Sequence, residues 1–186
     1  MGIPIPTMPA GGYTTDDLDA MPVNNFRFEL TDGALSVSPS PSSLHQHLCA
    51  ALMMRLADVA PPTLAVTQAV EIRFARQLTR IPDVLVIGSQ DPGRHWFAPA
   101  EVLLAVEVES PGNHVEDRTT KPALYAQFGI PSYWRIEPDP LRVTTYARGR
   151  GDRYTPMTTG DRIEVNEPFP FSLGLDELLP RWARGS

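Results

Sequence analysis

The chain's 186 residues, 42% of them hydrophobic, are enough for one buried core, so a single domain is expected. No apolar run reaches the roughly 18 residues of a membrane span, and no signal peptide is recognisable, which predicts a soluble, cytoplasmic protein. The net charge of −6 disfavours a nucleic-acid partner, and the single cysteine, Cys49, excludes an internal disulfide and a cysteine-based zinc site.

The first half of the chain predicts an arm, a short helix, a β-hairpin and a long helix. Residues 1–13 are rich in proline and glycine, which predicts a disordered arm before a single domain over residues 14–180. Thr14 is expected to cap the short helix, and two alternating runs around Asp32-Gly33 predict the hairpin, because glycine supplies the positive φ of its turn. A helix from about Leu44 to Val59 follows, with leucines on one face.

The second half predicts strands interrupted by one crossover helix. Strands are expected near residues 64–74, 82–87 and 102–109, a helix over 122–128, and further strands near 133–136, 141–147 and 153–157, before a C-terminal tail at 181–186. Strands, one crossover helix and more strands indicate an α/β layer with a mixed sheet.

Carboxylates lie inside two of these apolar strands, where ionised groups are costly unless they are paired or bound to a metal. Asp83 begins one strand, and Glu107 and Glu109 share one face of the next. If Asp83 and Glu107 lie at the same level, their carboxylates and the carbonyl of Val108 form an oxygen cage for one hard divalent cation. Magnesium would then polarise a phosphate and activate a water, while Lys121 neutralises charge or orients that water.

Other interpretations of these acids remain open. Asp83 could begin its strand at a solvated rim, with Glu107 and Glu109 on the polar face of a half-exposed sheet. Lys121 is the only lysine among sixteen lysine and arginine residues, which nucleotide bias in the gene would also explain. Finally, Asp83 and Glu107 could serve as a metal-free acid and base on a small molecule, in the manner of glycoside hydrolases.

Several segments of the chain resemble the PD-(D/E)XK nucleases. The core of the likeness is Pro82-Asp83, Glu107-Val-Glu109 and Lys121, and it is greatest to a bacterial "putative restriction endonuclease" subgroup, whose lysine has moved to the helix after the ExE strand. Further matching segments are Arg27-Phe-Glu-Leu-Thr-Asp-Gly33, Ser40-Pro-Ser-Ser-Leu-His45, Asp117-x-x-x-Lys121 and Leu124-Tyr-Ala-Gln-Phe-Gly-Ile-Pro-Ser-Tyr-Trp134.

This resemblance implies a restriction-endonuclease-like α/β fold, a central mixed β-sheet flanked by helices, with an N-terminal β-hairpin and extra C-terminal strands. It also implies a DNA endonuclease that uses magnesium, or manganese in its place, and forms a homodimer. By position, Asp83 and Glu107 would bind the metal and Lys121 would be the catalytic base or stabiliser. Glu29 matches an early acid that helps to hold the metal or orients Lys121. A local basic surface for DNA is possible where four arginines lie in one short stretch, although an ordinary solvated hairpin explains them at least as well: Arg142, Arg148, Arg150 and Arg153.

Three further side chains are accessory candidates. His45 matches a family histidine that contacts phosphate or water, although a histidine on the first turn of an amphipathic helix is more often structural. Tyr125 is expected to pack the helix onto the sheet while its hydroxyl finds a partner. Glu109 departs from the family, which usually has an apolar residue there, and Pro122 should place Lys121 at or before the helix N-cap. These two departures leave a catalytically impaired DNA-binding protein as an alternative.

Overall fold

The computed structural model describes residues 7–22, 26–38, 40–88, 91, 93–110 and 115–183. The α-helices are α1 (Thr15–Asp19), α2 (Ser43–Ala57) and α3 (Lys121–Gln127). The strands are β1 (Arg27–Thr31), β2 (Ala34–Ser38), β3 (Ala65–Gln68), β4 (Glu71–Ala75), β5 (Leu78–Arg80), β6 (Val84–Ile87), β7 (Trp96–Phe97), β8 (Val102–Val108), β9 (Ser132–Pro138), β10 (Leu141–Arg148), β11 (Tyr154–Gly160), β12 (Arg162–Val165) and β13 (Phe171–Gly174). Within these ranges, none of the helices combines the length and the apolar character that crossing a membrane requires.

Short helical turns complete the secondary structure. A π-helical stretch, Glu116–Thr120, leads directly into α3. Turns of 3₁₀ helix lie at Pro99–Glu101, Leu175–Leu178 and Arg181–Ala183. The last of these falls in the predicted C-terminal tail, whose residues 184–186 lie outside the described residues.

The N-terminal elements form where the sequence predicts them. The Thr14 hydroxyl oxygen accepts the Asp17 amide at 3.4 Å, and the Asp17 carboxylate accepts the Thr14 amide at 2.7 Å, which gives α1 a capping box. Asp32 and Gly33 both have positive φ, as a two-residue type I′ hairpin between β1 and β2 requires. Disorder is not found at the end of the predicted arm, because Tyr13 is buried and its amide donates to the Gly33 carbonyl. Residues 1–6 lie outside the described residues.

Helix α2 presents an apolar face to the sheet. The Ser42 side chain accepts the His45 amide and caps the helix. Leu48, Leu52 and Leu56 are fully buried, as their spacing predicts. Val59, which was expected on the same face, follows the end of the helix and is 54% exposed.

The predicted strand over residues 64–74 is two strands. Ala69 has a φ of 54°, in the left-handed region, and this turn separates β3 from β4. Strand β3 joins the main sheet, whereas β4 lies at the centre of a separate sheet in the order β5-β4-β7. The turn at Ala69 therefore places the two halves of this apolar run in two different sheets.

A six-stranded sheet in the order β11-β10-β9-β8-β6-β3 forms the centre of the described structure. Strands β8 and β9 are parallel and α3 lies between them in the sequence, while the other neighbours are antiparallel. Helix α2 and hairpin β12–β13 pack on one face, and α3 packs on the other. Leu104, Val106 and Val108 belong to the first core and Ala105 to the second, as alternation along β8 predicts. The predicted fold is confirmed.

Candidate active site

Asp83 lies at the start of β6, beside the central strand β8. Its amide donates to the Val106 carbonyl at 3.1 Å, so the antiparallel register brings Asp83 level with Glu107. The Val108 amide donates to Asp83 Oδ2 at 2.9 Å. The backbone of Val108, whose carbonyl was a predicted metal ligand, therefore lies next to this carboxylate. Burial acts against ionisation of Asp83, but hydrogen bonds from His45 and Val108 outweigh it and hold the pKa of Asp83 below its usual value.

Glu107 is buried on the face of β8 that meets α3. The Lys121 ammonium contacts Glu107 Oε2 at 2.9 Å, and the Tyr125 hydroxyl donates to Oε1 at 2.7 Å. Tyr125 thus both packs α3 onto the sheet and finds a polar partner, as predicted. Burial, with the nearby charges of Asp83 and Asp117, raises the pKa of Glu107 to about 8 despite the lysine.

The three strand acids are almost inaccessible to solvent. Asp83 is 5% exposed, Glu107 2% and Glu109 3%. The interpretation of these residues as the rim or polar face of a half-exposed sheet is therefore wrong. Buried carboxylates of this kind need partners, and each of them has at least one cationic neighbour.

Lys121 is a buried cation shared by two carboxylates. Besides Glu107, its ammonium contacts Asp117 Oδ1 at 2.8 Å, one helical turn earlier. Burial disfavours the charged lysine, but the charges of Glu107, Asp117 and Glu29 outweigh burial and hold the pKa of Lys121 above its usual value. A raised pKa favours a protonated lysine, which suits a charge stabiliser better than a general base.

The predicted position of Lys121 at or before the N-cap is wrong, because the helix begins earlier. Lys121 has helical dihedral angles, with φ −63° and ψ −49°, and its amide donates to the Glu116 carbonyl in the π-helical pattern. In that pattern Pro122 would donate to the Asp117 carbonyl, but proline has no N–H. The Tyr133 hydroxyl donates to this carbonyl instead, at 2.7 Å. The π-helical turn and the hydrogen bond from the Tyr133 hydroxyl together accommodate Pro122 in the helix.

Asp117 contacts Lys121 and so lies beside Glu107, although it was not among the predicted site residues. It is buried, and burial raises the pKa of its carboxyl group. The available signal was the spacing of Asp117 and Lys121, since residues four apart on a helix face each other. The spacing is informative only if the helix starts before Pro122, and a proline at that position predicts a helix that starts at the proline itself.

Glu29 joins the N-terminal hairpin to the start of β6. Its Oε1 accepts the amide of Ile81 at 2.7 Å, two residues before Asp83. Burial raises the pKa of Glu29, and the charge of Lys121 partly offsets that rise. Glu29 is therefore close enough to Lys121 for their charges to interact. Its carboxylate is held in place by the hydrogen bond from the Ile81 amide.

His45, Cys49 and Arg27 surround Asp83 on the side of α2. His45 Nε2 lies 3.1 Å from Asp83 Oδ2, and an Arg27 guanidinium nitrogen lies 3.1 Å from Oδ1. Cys49 Sγ lies 3.5 Å from His45 Nδ1. A cleft of about 350 Å³ reaches Asp83 and is lined by Phe26, Arg27, Ser40, Pro41, His45, Gln46, Cys49, Ala50 and Gln68. Asp83 therefore lines an open cleft.

Glu109 is held apart from this cluster by two arginines. Arg118 forms a two-pronged contact with its carboxylate at 2.7 and 2.9 Å, and Arg135 Nε lies 3.0 Å from Oε1. These ion pairs offset its charge. An acid at this position could in principle recruit a second metal or repel phosphate, but its arginine contacts work against both effects.

Comparisons with known proteins give a family and a fold. The profile of the Uma2 family, described as "Putative restriction endonuclease", matches residues 15–177. A crystal structure from Anabaena variabilis, described as a "putative nuclease belonging to DUF820", superposes with a TM-score of 0.70 at 18% sequence identity. The match covers 89% of this chain and 96% of that one. None of the curated proteins compared matches the chain.

Proposed function

Since the chain belongs to the Uma2 family of the PD-(D/E)XK superfamily, we propose that it is a metal-dependent endonuclease that hydrolyses DNA phosphodiester bonds. The observation that carries this proposal is the pair of buried acids, Asp83 and Glu107, at one level of adjacent strands, with the ammonium of Lys121 on Glu107. A homodimer, implied by the resemblance, is part of the proposal.

The donor set suits magnesium. Asp83 and Glu107 offer carboxylate oxygens, which magnesium prefers over nitrogen or sulfur. Burial raises the pKa of Glu107 to about 8 and the charges of Asp83 and Asp117 add to this rise, so a divalent cation would favour the ionised form of Glu107. The chemistry that such an ion supplies when bound is polarisation of a phosphate and a bound water of lowered pKa.

The remaining residues have roles that follow from their contacts. Lys121, protonated and fixed between Glu107 and Asp117, would stabilise the negative charge that develops at a phosphate. Tyr125 orients Glu107 through its hydroxyl group. Arg27 lies at the cleft, its side chain 34% exposed, where a guanidinium can contact a DNA phosphate.

One observation favours the catalytically impaired alternative. Both proposed metal ligands are already paired within the protein: Asp83 with Arg27 and His45, and Glu107 with Lys121. A site whose charges are offset in this way can persist in a protein that binds DNA without cutting it. A metal-free acid and base mechanism has less support, because it leaves the buried ammonium of Lys121 without a role.

The test is cleavage of supercoiled, linear and single-stranded DNA with magnesium, manganese or EDTA. Wild-type protein is compared with Asp83→Asn and with Asp58→Asn, a matched control at an exposed aspartate after α2. We expect divalent-ion-dependent cleavage by wild type and the control, and a loss of roughly a hundredfold or more in Asp83→Asn, the scale of losing one electrostatic catalytic group.

Calorimetric titration with magnesium separates the alternatives. Loss of both cleavage and ion binding in Asp83→Asn supports the proposal. DNA binding that weakens with salt, without cleavage by wild type under any condition, would establish the impaired protein instead. Cleavage that persists in EDTA would refute metal dependence.

A further inference from the structure

A second group of metal-binding side chains lies on the α2 side of Asp83. His45 and Cys49 are four residues apart on α2 and project from the same face. One nitrogen of His45, the sulfur of Cys49 and a carboxylate oxygen of Asp83 lie within 4.8 Å of one another. All three residues are buried. The sequence excluded a zinc site built on cysteines because it has only one, but the fold adds a histidine and an aspartate to that cysteine.

The separation of Cys49 and His45 fits a tetrahedral ion. Bonds of about 2.3 Å to sulfur and about 2.05 Å to nitrogen place those two atoms about 3.6 Å apart at a tetrahedral centre. Cys49 Sγ and His45 Nδ1 lie 3.5 Å apart. Asp83 Oδ2 lies 3.1 Å from His45 Nε2, on the other side of the same ring. A single ion binds only one ring nitrogen, so the His45 ring or the Asp83 carboxylate must rotate before the three ligand atoms, now within 4.8 Å of one another, meet at one ion.

The chemistry of these ligands differs from that of the proposed magnesium site. Imidazole, thiolate and carboxylate together suit zinc and similar transition-metal ions, whereas magnesium prefers oxygen alone. The cleft of about 350 Å³ is lined by His45, Cys49 and Asp83, so an ion can enter and keep a water as its fourth ligand.

We propose that His45, Cys49 and Asp83 form a site for a zinc-type transition-metal ion, and that its occupation withdraws Asp83 from the magnesium site. Coordination releases the Cys49 thiol proton to solvent. Zinc binding then inhibits DNA cleavage, because the Asp83 carboxylate that binds zinc beside His45 and Cys49 is directed away from Glu107. The inhibition rests on the proposed nuclease function, whereas the binding of the ion does not.

The binding is tested first, without DNA. Titration of the full chain with cobalt(II), a spectroscopic substitute for zinc, should give a thiolate-to-cobalt charge-transfer band that saturates at one ion per chain and is displaced by zinc. Cys49→Ser and Cys49→Ala should abolish the band, and His45→Ala should weaken binding at least about tenfold. The control, His47→Ala, changes an exposed histidine of the same helix and should bind as wild type does. Equal binding by the Cys49 variants and this control would overturn the site.

A measurement on the unmodified chain covers the case in which these variants do not fold. Cys49 is the only thiol, so its rate of alkylation reports on this position alone. Zinc should slow the reaction several-fold, whereas magnesium should not. An alkylation rate that zinc leaves unchanged would refute coordination by Cys49.

The regulatory consequence has its own assay. Zinc should inhibit magnesium-dependent cleavage, and excess magnesium should reverse the inhibition. Each variant is normalised to its own rate without zinc, and Cys49→Ala should need at least tenfold more zinc for half-inhibition. If cobalt binds but wild type cuts no DNA, the nuclease proposal fails while the metal site stands. If wild type cuts DNA and zinc inhibits all variants equally, the inhibition proposed for this site is refuted.

Discussion

Replacing Lys121 with methionine should destabilise the protein in a way that depends on pH. The lysine side chain is 7% exposed, and its ammonium contacts both Glu107 and Asp117, each with a side chain 3% exposed. Removing one member of a buried ion pair typically costs about 3–5 kcal/mol, because the remaining charge is buried without compensation. Methionine nearly preserves the length of the chain and its apolar contacts, so the loss reports mainly on the charge.

The direction of the pH dependence follows from the pKa of Glu107. Its carboxyl group has a pKa of about 8 in the folded protein against 4.5 without the protein environment, so the folded state binds the proton more tightly. The contribution of such an acid to stability is greatest below pH 4.5 and falls as the pH rises toward 8. Without Lys121 the folded pKa rises further. The loss in Lys121→Met should therefore be larger at pH 8 than at pH 5.

Urea unfolding at the two pH values, in EDTA, measures this difference. Arg118→Met is the matched control, because Arg118 is also a cation in this helical region but its side chain is 47% exposed, and its partner Glu109 keeps Arg135. It should cost at most about 1 kcal/mol, with little change between the pH values. A loss in Lys121→Met below about 1 kcal/mol, or one that is the same at both pH values, would refute the charge-compensation argument.

Two further substitutions test single contacts. Glu109→Gln should lower the free energy of unfolding by about 1–3 kcal/mol, since it weakens a buried ion-pair network, yet leave the magnesium affinity measured by calorimetry within about twofold. A tenfold change in affinity would identify Glu109 as part of the metal site. Tyr133→Phe should lower the free energy of unfolding by about 1–2 kcal/mol, because it removes the hydroxyl that donates to the Asp117 carbonyl. The same substitution should cost clearly less in a Pro122→Ala background, since alanine restores a backbone N–H. Equal losses in both backgrounds, measured by urea unfolding, would show that the hydroxyl does not replace the missing amide.

The sequence predicted the elements whose signals are local. The Thr14 cap, the Asp32-Gly33 turn and the leucine face of α2 each depend on neighbouring residues, and each formed as expected. Alternation along β8 also predicted correctly that Glu107 lies on the face opposite to Val106. Local rules of propensity and periodicity suffice for such features.

What the sequence could not supply were contacts between distant segments. The break at Ala69 has no glycine to signal it, and alanine seldom adopts a positive φ. The early start of the helix before Lys121 depends on Tyr133, which replaces the amide that Pro122 lacks. The arginine partners of Glu109 come from the stretch before α3 and from β9, so its neutralisation depends on tertiary structure.

The balance of charges differs between Glu107 and Glu109, which lie two residues apart at the C-terminal end of β8. Glu109 is contacted by two arginines, so its charge is offset within the protein. Glu107 and Asp117 instead share one ammonium, that of Lys121, and their combined charge exceeds it. Burial, with the charges of Asp83 and Asp117, raises the pKa of Glu107 to about 8, and a proton there relieves this excess in the free protein. A divalent cation beside Asp83 would relieve the same excess, so protons and metal ions should compete for Glu107.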